Sequence, residues 1–233
     1  MTEFPMRINK YLAHKGISTR KEADSLIGQG KVFINDRIAV LGDKVLEKDK
    51  VVVKGNNNTK YVYLAYNKQK GVVTVNPQYG EISIKHNPTI PKNVFPIGRL
   101  DKNSRGLIIL TNDGRVTDKL LNPKYDHEKE YAVELNRVYS PAFIKHMTEG
   151  VLIGDYKTKP TKISKINDTK FSITLTEGKN RQIRRMAEKL GYTVSDLFRT
   201  RIQNIKIGKT ASGSYRTIEG EEKEKFLETL GLN

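Results

Sequence analysis

The pattern of apolar residues changes in kind part-way along the 233-residue chain, and that change constrains the fold more than any other feature. Up to Val53, helix-like spacing precedes two short strand-like runs; from Tyr61 onward strand patterns dominate. Between them lies "KGNNNTK", residues 54–60, which has no periodicity and weak propensity for either state. Such a stretch is a hinge between domains or a hairpin tip inside one. On the first reading, residues 1–55 form one module, 56–61 a linker and 62–233 a second module.

In the first module, "RINKYLAHKG" spaces Ile8, Tyr11 and Leu12 along one helical face, with Gly16 placed to end the helix. "STRKEADSLIGQG" offers Ser18 or Thr19 as N-cap with Glu22 behind it, and Ala23, Leu26 and Ile27 as the apolar face. "KVFIND" and "KVVVKG" read as strands, with Asn35-Asp36 in a turn. In the second module "YVYLAYNK", "GLIILTN", "EKEYAVELN", "KFSITLTEG" and "NIKIGK" read as strands, and "VTDKLLN", "SPAFIKHMTEG" and "NRQIRRMAEKLG" as helices. No βαβ rhythm links them, so the expected class is α+β: a small helix-helix-strand domain, then a mixed, largely antiparallel sheet flanked by helices.

The charge narrows the function. Forty-two lysines and arginines face 26 acids, a net charge of +16, which favours a polyanionic partner through counterion release. Residues 178–209 hold nine basic residues against two acids. The chain has no cysteine, and its four histidines (14, 86, 127, 146) form no ligand-spaced pair. Neither GxGxxG nor GxxxxGK[ST] occurs. No run approaches the ~20 apolar residues of a membrane helix, and the N-terminus has no apolar signal region. Cytoplasmic location, no membrane partner and a monomeric state are the expectations.

Candidate chemistry gathers at three places. "VFPIGRLDKNSRGLIILTNDG", residues 94–114, places Asp101 between a loop and a strand, with no histidine or cysteine beside it. A lone Asp in that position is most often a turn or cap residue. "EGKNRQIRRMAEKLG" puts Arg181, Arg184 and Arg185 at the start of a helix whose apolar stripe is Ile183, Met186, Ala187 and Leu190. Arg184 sits beside that stripe; pointing inward, it would need a carboxylate, because an unpaired buried guanidinium is costly. Tyr131 in "DHEKEYAVEL" can stack on an unstacked base or pack in a core.

Residues 6–53 resemble the S4 RNA-binding domain. The resemblance implies RNA contacts from Arg7, Lys10, Arg20 and Lys21. "GRLDKNSRGLIILTNDG", "EKEY" and "EGKNRQIRRM…LG" together resemble the RsuA/RluB/RluE/RluF branch of the pseudouridine synthases, in the order that branch shows. That resemblance implies isomerisation of uridine to pseudouridine, a reaction needing no metal, cofactor or water. It assigns the catalytic carboxylate to Asp101, attacking ribose C1′ or removing a ribose proton to give a glycal. Arg184 is its implied ionic partner, and Tyr131 stacks on the uracil. Leu197 packs against the base, while Arg99 holds the flipped nucleotide or fills its place; Arg181 and Arg185 complete the implied RNA contacts. Two departures stand out: "KQKG" (68–71) replaces Lys-Pro-x-Gly with Gln69, and Gln203 stands where glycine is common. "DHEKEY" is most similar to the RluF-type enzymes, which act on a large-subunit (23S) rRNA stem-loop and, in some members, a tRNA anticodon loop. The competing readings are an RsuA-type enzyme acting on 16S rRNA, a non-catalytic S4-domain assembly factor, and a base-excising glycosylase.

Overall fold

The computed structural model describes residues 4–15, 17–55 and 60–232. Gly16 and residues 56–59 of the expected linker lie outside the described residues. Helices α1 (Ile8–His14) and α2 (Arg20–Gly28) open the chain and pack on each other. Thr19, rather than Ser18, caps α2: its hydroxyl accepts from the Glu22 amide while the Glu22 carboxylate accepts from the Thr19 amide. A three-stranded antiparallel sheet of Arg37–Ile38, Val32–Ile34 and Val51–Val53 follows. The expected Asn35-Asp36 turn has positive φ at both residues, 49° and 67°, as a two-residue hairpin needs. Ile8, Leu12, Ala23, Leu26, Ile27, Val32, Ile34, Ala39 and Val45 bury a core of their own.

Beyond residue 60 the molecule is built on a nine-stranded sheet. Its main path runs Lys162–Lys165, Lys170–Leu175, Lys129–Leu135, Val194–Ile202, Arg105–Thr111, Tyr63–Lys68 and Tyr215–Thr217. Ile205–Lys206 and Phe95–Ile97 pair off this path. Every pairing is antiparallel except that between Val194–Ile202 and Arg105–Thr111, which run parallel.

The central strands are apolar on both faces because helices cover both. Leu64, Tyr66, Ile108 and Leu110 face one core, with α4 (Pro141–Glu149) and α5 (Gln182–Lys189) laid over it through Phe143, Met147, Ile183, Met186 and Ala187. Tyr63, Ala65, Leu107 and Ile109 face the other, covered by α3 (Arg115–Leu121) and α6 (Gly220–Thr229) through Val116, Leu120 and Phe226. This is the expected mixed α+β class. The Val194–Ile202 strand, at the centre of the sheet, and α6 have no counterpart among the elements expected from the sequence. Among the described residues no helix is long and apolar enough to cross a membrane.

Candidate active site

A cavity of about 610 Å³ opens at the junction of the loop before Arg105–Thr111, the start of α5 and the strands Lys129–Leu135 and Val194–Ile202. That size is ordinary for a small-molecule site, roughly 300–1,000 Å³. Asp101, Arg99, Tyr131, Leu197 and Arg181 all line it.

Asp101 lies on a loop clamped from both sides. The Thr74 hydroxyl donates to the Leu100 carbonyl at 2.9 Å and accepts from the Leu100 amide at 3.1 Å. The Ser104 amide donates to the Asp101 carbonyl at 3.0 Å, and the Gly71 amide to that of Lys102 at 2.8 Å. The backbone is therefore held while the half-buried side chain faces the cavity. Beneath it Lys68 is fully buried, its ammonium donating to the carbonyls of Gln69 and Val72. Burial pushes Lys68 down to about 8, against the attraction of Asp101.

Strand register supplies the opposite wall. Tyr131 and Arg199 are directly paired across the antiparallel strands, and Leu197 sits two residues before Arg199 on the same face. All three are buried. Arg199 donates from Nε to the Leu107 carbonyl at 2.6 Å and from Nη1 to the Tyr131 hydroxyl at 3.5 Å. Gly106 makes this approach possible: at φ 106°, an added Cβ would lie 2.4 Å from the Arg199 carbonyl oxygen.

Among the described residues two carboxylates line the cavity, Asp101 and Glu177. Glu177 is occupied by the Tyr156 hydroxyl, the Lys159 amide and the Gln182 side chain. Asp101 has no such partner: among the described residues its carboxylate makes no hydrogen bond and no ion pair within 4.0 Å. A carboxylate left open beside an aromatic ring and an apolar Leu197 is arranged to meet a substrate.

The chain is similar to known proteins over most of its length. The family described as RNA pseudouridylate synthase matches residues 62–189, and the S4 domain matches residues 6–51. The chain is 41% identical to the dual-specificity RNA pseudouridine synthase RluF of Salmonella typhi, over 95% of this chain and 78% of that protein. It is 42% identical to RluF of Escherichia coli K12 over 93% of this chain and 77% of that protein. The chain belongs to the RNA pseudouridine synthase family. Ribosomal large subunit pseudouridine synthase B of Bacillus subtilis is 30% identical, over 94% of this chain and 95% of that one. A crystal structure of a pseudouridylate synthase superposes with a TM-score of 0.70 at 27% identity, covering 97% of this chain and 99% of that one.

As a pseudouridine synthase the molecule departs from the sequence expectations in instructive ways. Arg184 is buried, as its place beside the apolar stripe predicts, but it does not form a direct ion pair with Asp101. Its guanidinium donates to the carbonyls of Val194 at 2.7 Å and Asn103 at 3.0 Å, and Nε has no partner among the described residues. Neutral carbonyls thus satisfy it, and its charge acts on Asp101 through space; burial, then repulsion from Arg181, lowers its pKa. Arg185, on another face of α5, does not line the cavity; its guanidinium lies by Gly154, where an added Cβ would be 3.4 Å away. Arg7, Lys10, Arg20 and Lys21 are exposed on the N-terminal helices and their flanks and do not line it either.

Both departures are accommodated. Gln69 lays its amide over Gly213, where an added Cβ would lie 2.5 Å away. Gln203 takes φ 49°, the conformation glycine favours, and its side chain meets the His127 ring. Sequence reasoning missed Arg199, Lys129, Ser104 and Lys68. The available signal was "LFRTRI", an arginine two residues after Leu197 on a strand. A register shift between Arg199 and Arg201 breaks the alternation that would have marked it as inward-facing.

Proposed function

We propose that this pseudouridine synthase isomerises a uridine in a stem-loop of large-subunit (23S) rRNA, and a tRNA anticodon loop as a second substrate, with Asp101 as the catalytic carboxylate. The open carboxylate of Asp101 carries the assignment, since the cavity's other carboxylate is taken up by protein donors. Support for the RNA class comes from the two RluF enzymes, whose names state dual specificity.

In this reading the flipped uridine enters the cavity with its ring on Tyr131 and against Leu197, and C1′ within reach of Asp101. Buried positive charge on Lys68 and Arg184 attracts that carboxylate through space. Exposed Arg99 and Arg181 at the cavity, and Arg7, Lys10, Arg20 and Lys21 on the S4 module, hold the phosphate backbone. Residues 1–55 act as the RNA-docking module and 62–233 as the catalytic one. A direct test is tritium release from RNA labelled at uracil C5, offering large-subunit rRNA fragments, small-subunit rRNA and tRNA. Wild type should release tritium from the first and third; Asp101→Ala should release none. Release from small-subunit rRNA alone would replace the substrate assignment, and full activity of Asp101→Ala would end the catalytic one.

A further inference from the structure

Arg199 and Arg201 lie on one strand, yet their surroundings are opposite. Arg201 is neutralised by Glu128 and Glu130, each at 3.0 Å. Arg199 is 4% exposed, and among the described residues it has no carboxylate partner and its buried Nη2 has no hydrogen-bond partner. A buried, unpaired donor is costly, more so when charged, unless a ligand takes it up. A second orphan, the Ser104 hydroxyl, faces the same cavity. Lys129 lines it too, its ammonium held among the described residues only by the His127 carbonyl at 3.2 Å and its pKa pushed down to about 8 by burial and then by Arg199. Cations therefore outnumber open carboxylates on the inner wall, which is built to receive negative charge.

We propose that the Arg199 guanidinium is the electrostatic acceptor for the departing uracil, stabilising the uracil anion at a carbonyl oxygen as the C1′–N1 bond breaks. The inference rests on the isomerase reading above. When that bond breaks, its electron pair passes to uracil and spreads over N1, O2 and O4, while C1′ is taken by Asp101 or relieved by loss of a ribose proton. After the ring turns, C5 uses the same charge to bond to C1′ and then gives up its proton. Uracil remains anionic and enclosed throughout its rotation, so a fixed donor beside Tyr131 lowers the barrier on both sides of it. An RNA phosphate is the poorer occupant, because Arg199 is buried beside Tyr131 whereas Arg99, Lys179 and Arg181 stand exposed at the cavity.

Leaving-group acidity tests this. The probes are large-subunit rRNA and tRNA transcripts made with uridine or with 5-fluorouridine, whose more acidic base leaves more readily. Single-turnover loss of the N-linked nucleoside is followed by digestion and mass spectrometry. Arg199→Gln should slow uridine cleavage by roughly 10²-fold, slow 5-fluorouridine cleavage at least tenfold less, and leave RNA affinity within threefold. Arg201→Gln should show no such split. Equal slowing on both RNAs, or weakened binding with an unchanged single-turnover rate, would overturn the inference in favour of a packing or phosphate role. If Arg199→Gln fails to fold by thermal melting, Arg199→Lys is read by the same ratio, and an unchanged ratio again overturns it. Absence of pseudouridine with wild type, or its presence with Asp101→Ala, would instead bring down the reading on which the inference rests.

Discussion

The strand Arg105–Thr111 carries an aspartate just beyond each end, and the two live in different physical worlds. Asp113, after its C-terminal end, is fully buried and saturated: the Tyr63 hydroxyl donates at 2.6 Å, and Arg115 donates at 2.9 and 2.8 Å. Proximity to that carboxylate adds to burial in driving the Tyr63 phenol far above its ordinary pKa. Asp101, before the N-terminal end, is held by its backbone alone and leaves its carboxylate to the cavity. One acid spends its lone pairs on the fold and the other leaves them open to the cavity. Twelve residues separate them in a single motif, and residue type does not distinguish them.

The comparison breaks if the roles can be exchanged. Asp101→Asn should lower tritium release by roughly 10³-fold or more while leaving the melting temperature within about 1 °C, since no native hydrogen bond is lost. Asp113→Asn should do the reverse, costing about 3 kcal/mol in urea unfolding because Arg115 loses a buried partner, with single-turnover activity retained in the folded fraction. Midway between the two effects, Gly106→Ala forces a Cβ to 2.4 Å from the Arg199 carbonyl at φ 106°. It should cost about 2–4 kcal/mol and reduce activity together with stability, since the strand that moves carries Leu197 and Arg199.

Lys68 sharpens the contrast from beneath Asp101. Its folded pKa is about 8 against 10.5 for the free side chain. Between those values the unfolded chain binds more protons than the folded one, so unfolding free energy rises with pH across that window. The charged, desolvated lysine costs stability in full below pH 8, and that cost fades as it deprotonates. Lys68→Met should flatten the rise between pH 8 and 10, measured by urea titration at several pH values. The smallest effect belongs to the N-terminal helices. Thr19→Ala removes the capping box of α2 and should cost about 1 kcal/mol, with unchanged turnover on an RNA bound at saturation.

Much of this molecule was readable before folding, and the reasons are local. Apolar spacing located α1 to α5 and most of the sheet, because helix and strand periods are written along the chain. The cap at Thr19 and the turn at Asn35-Asp36 were readable because their hydrogen bonds and dihedrals close within a few residues. The Val194–Ile202 strand was not, since its bulged register and its three charged residues disguise a buried central strand. Arg184 shows the boundary well: its helical position forecast burial, while its partners, Val194 and Asn103, come from segments 10 and 81 residues away.

By itself, then, the sequence determined a basic α+β chain and its family through three ordered motifs, and that resemblance singled out Asp101, Tyr131 and Leu197. Only the tertiary structure decided which aspartate stays open, that Arg184 leans on carbonyls, and that Arg199 faces Tyr131 with a donor unspent. The division has one physical cause. Spacing along a chain fixes which face a side chain takes, whereas partners, burial and charge are set by strands that meet across the sheet.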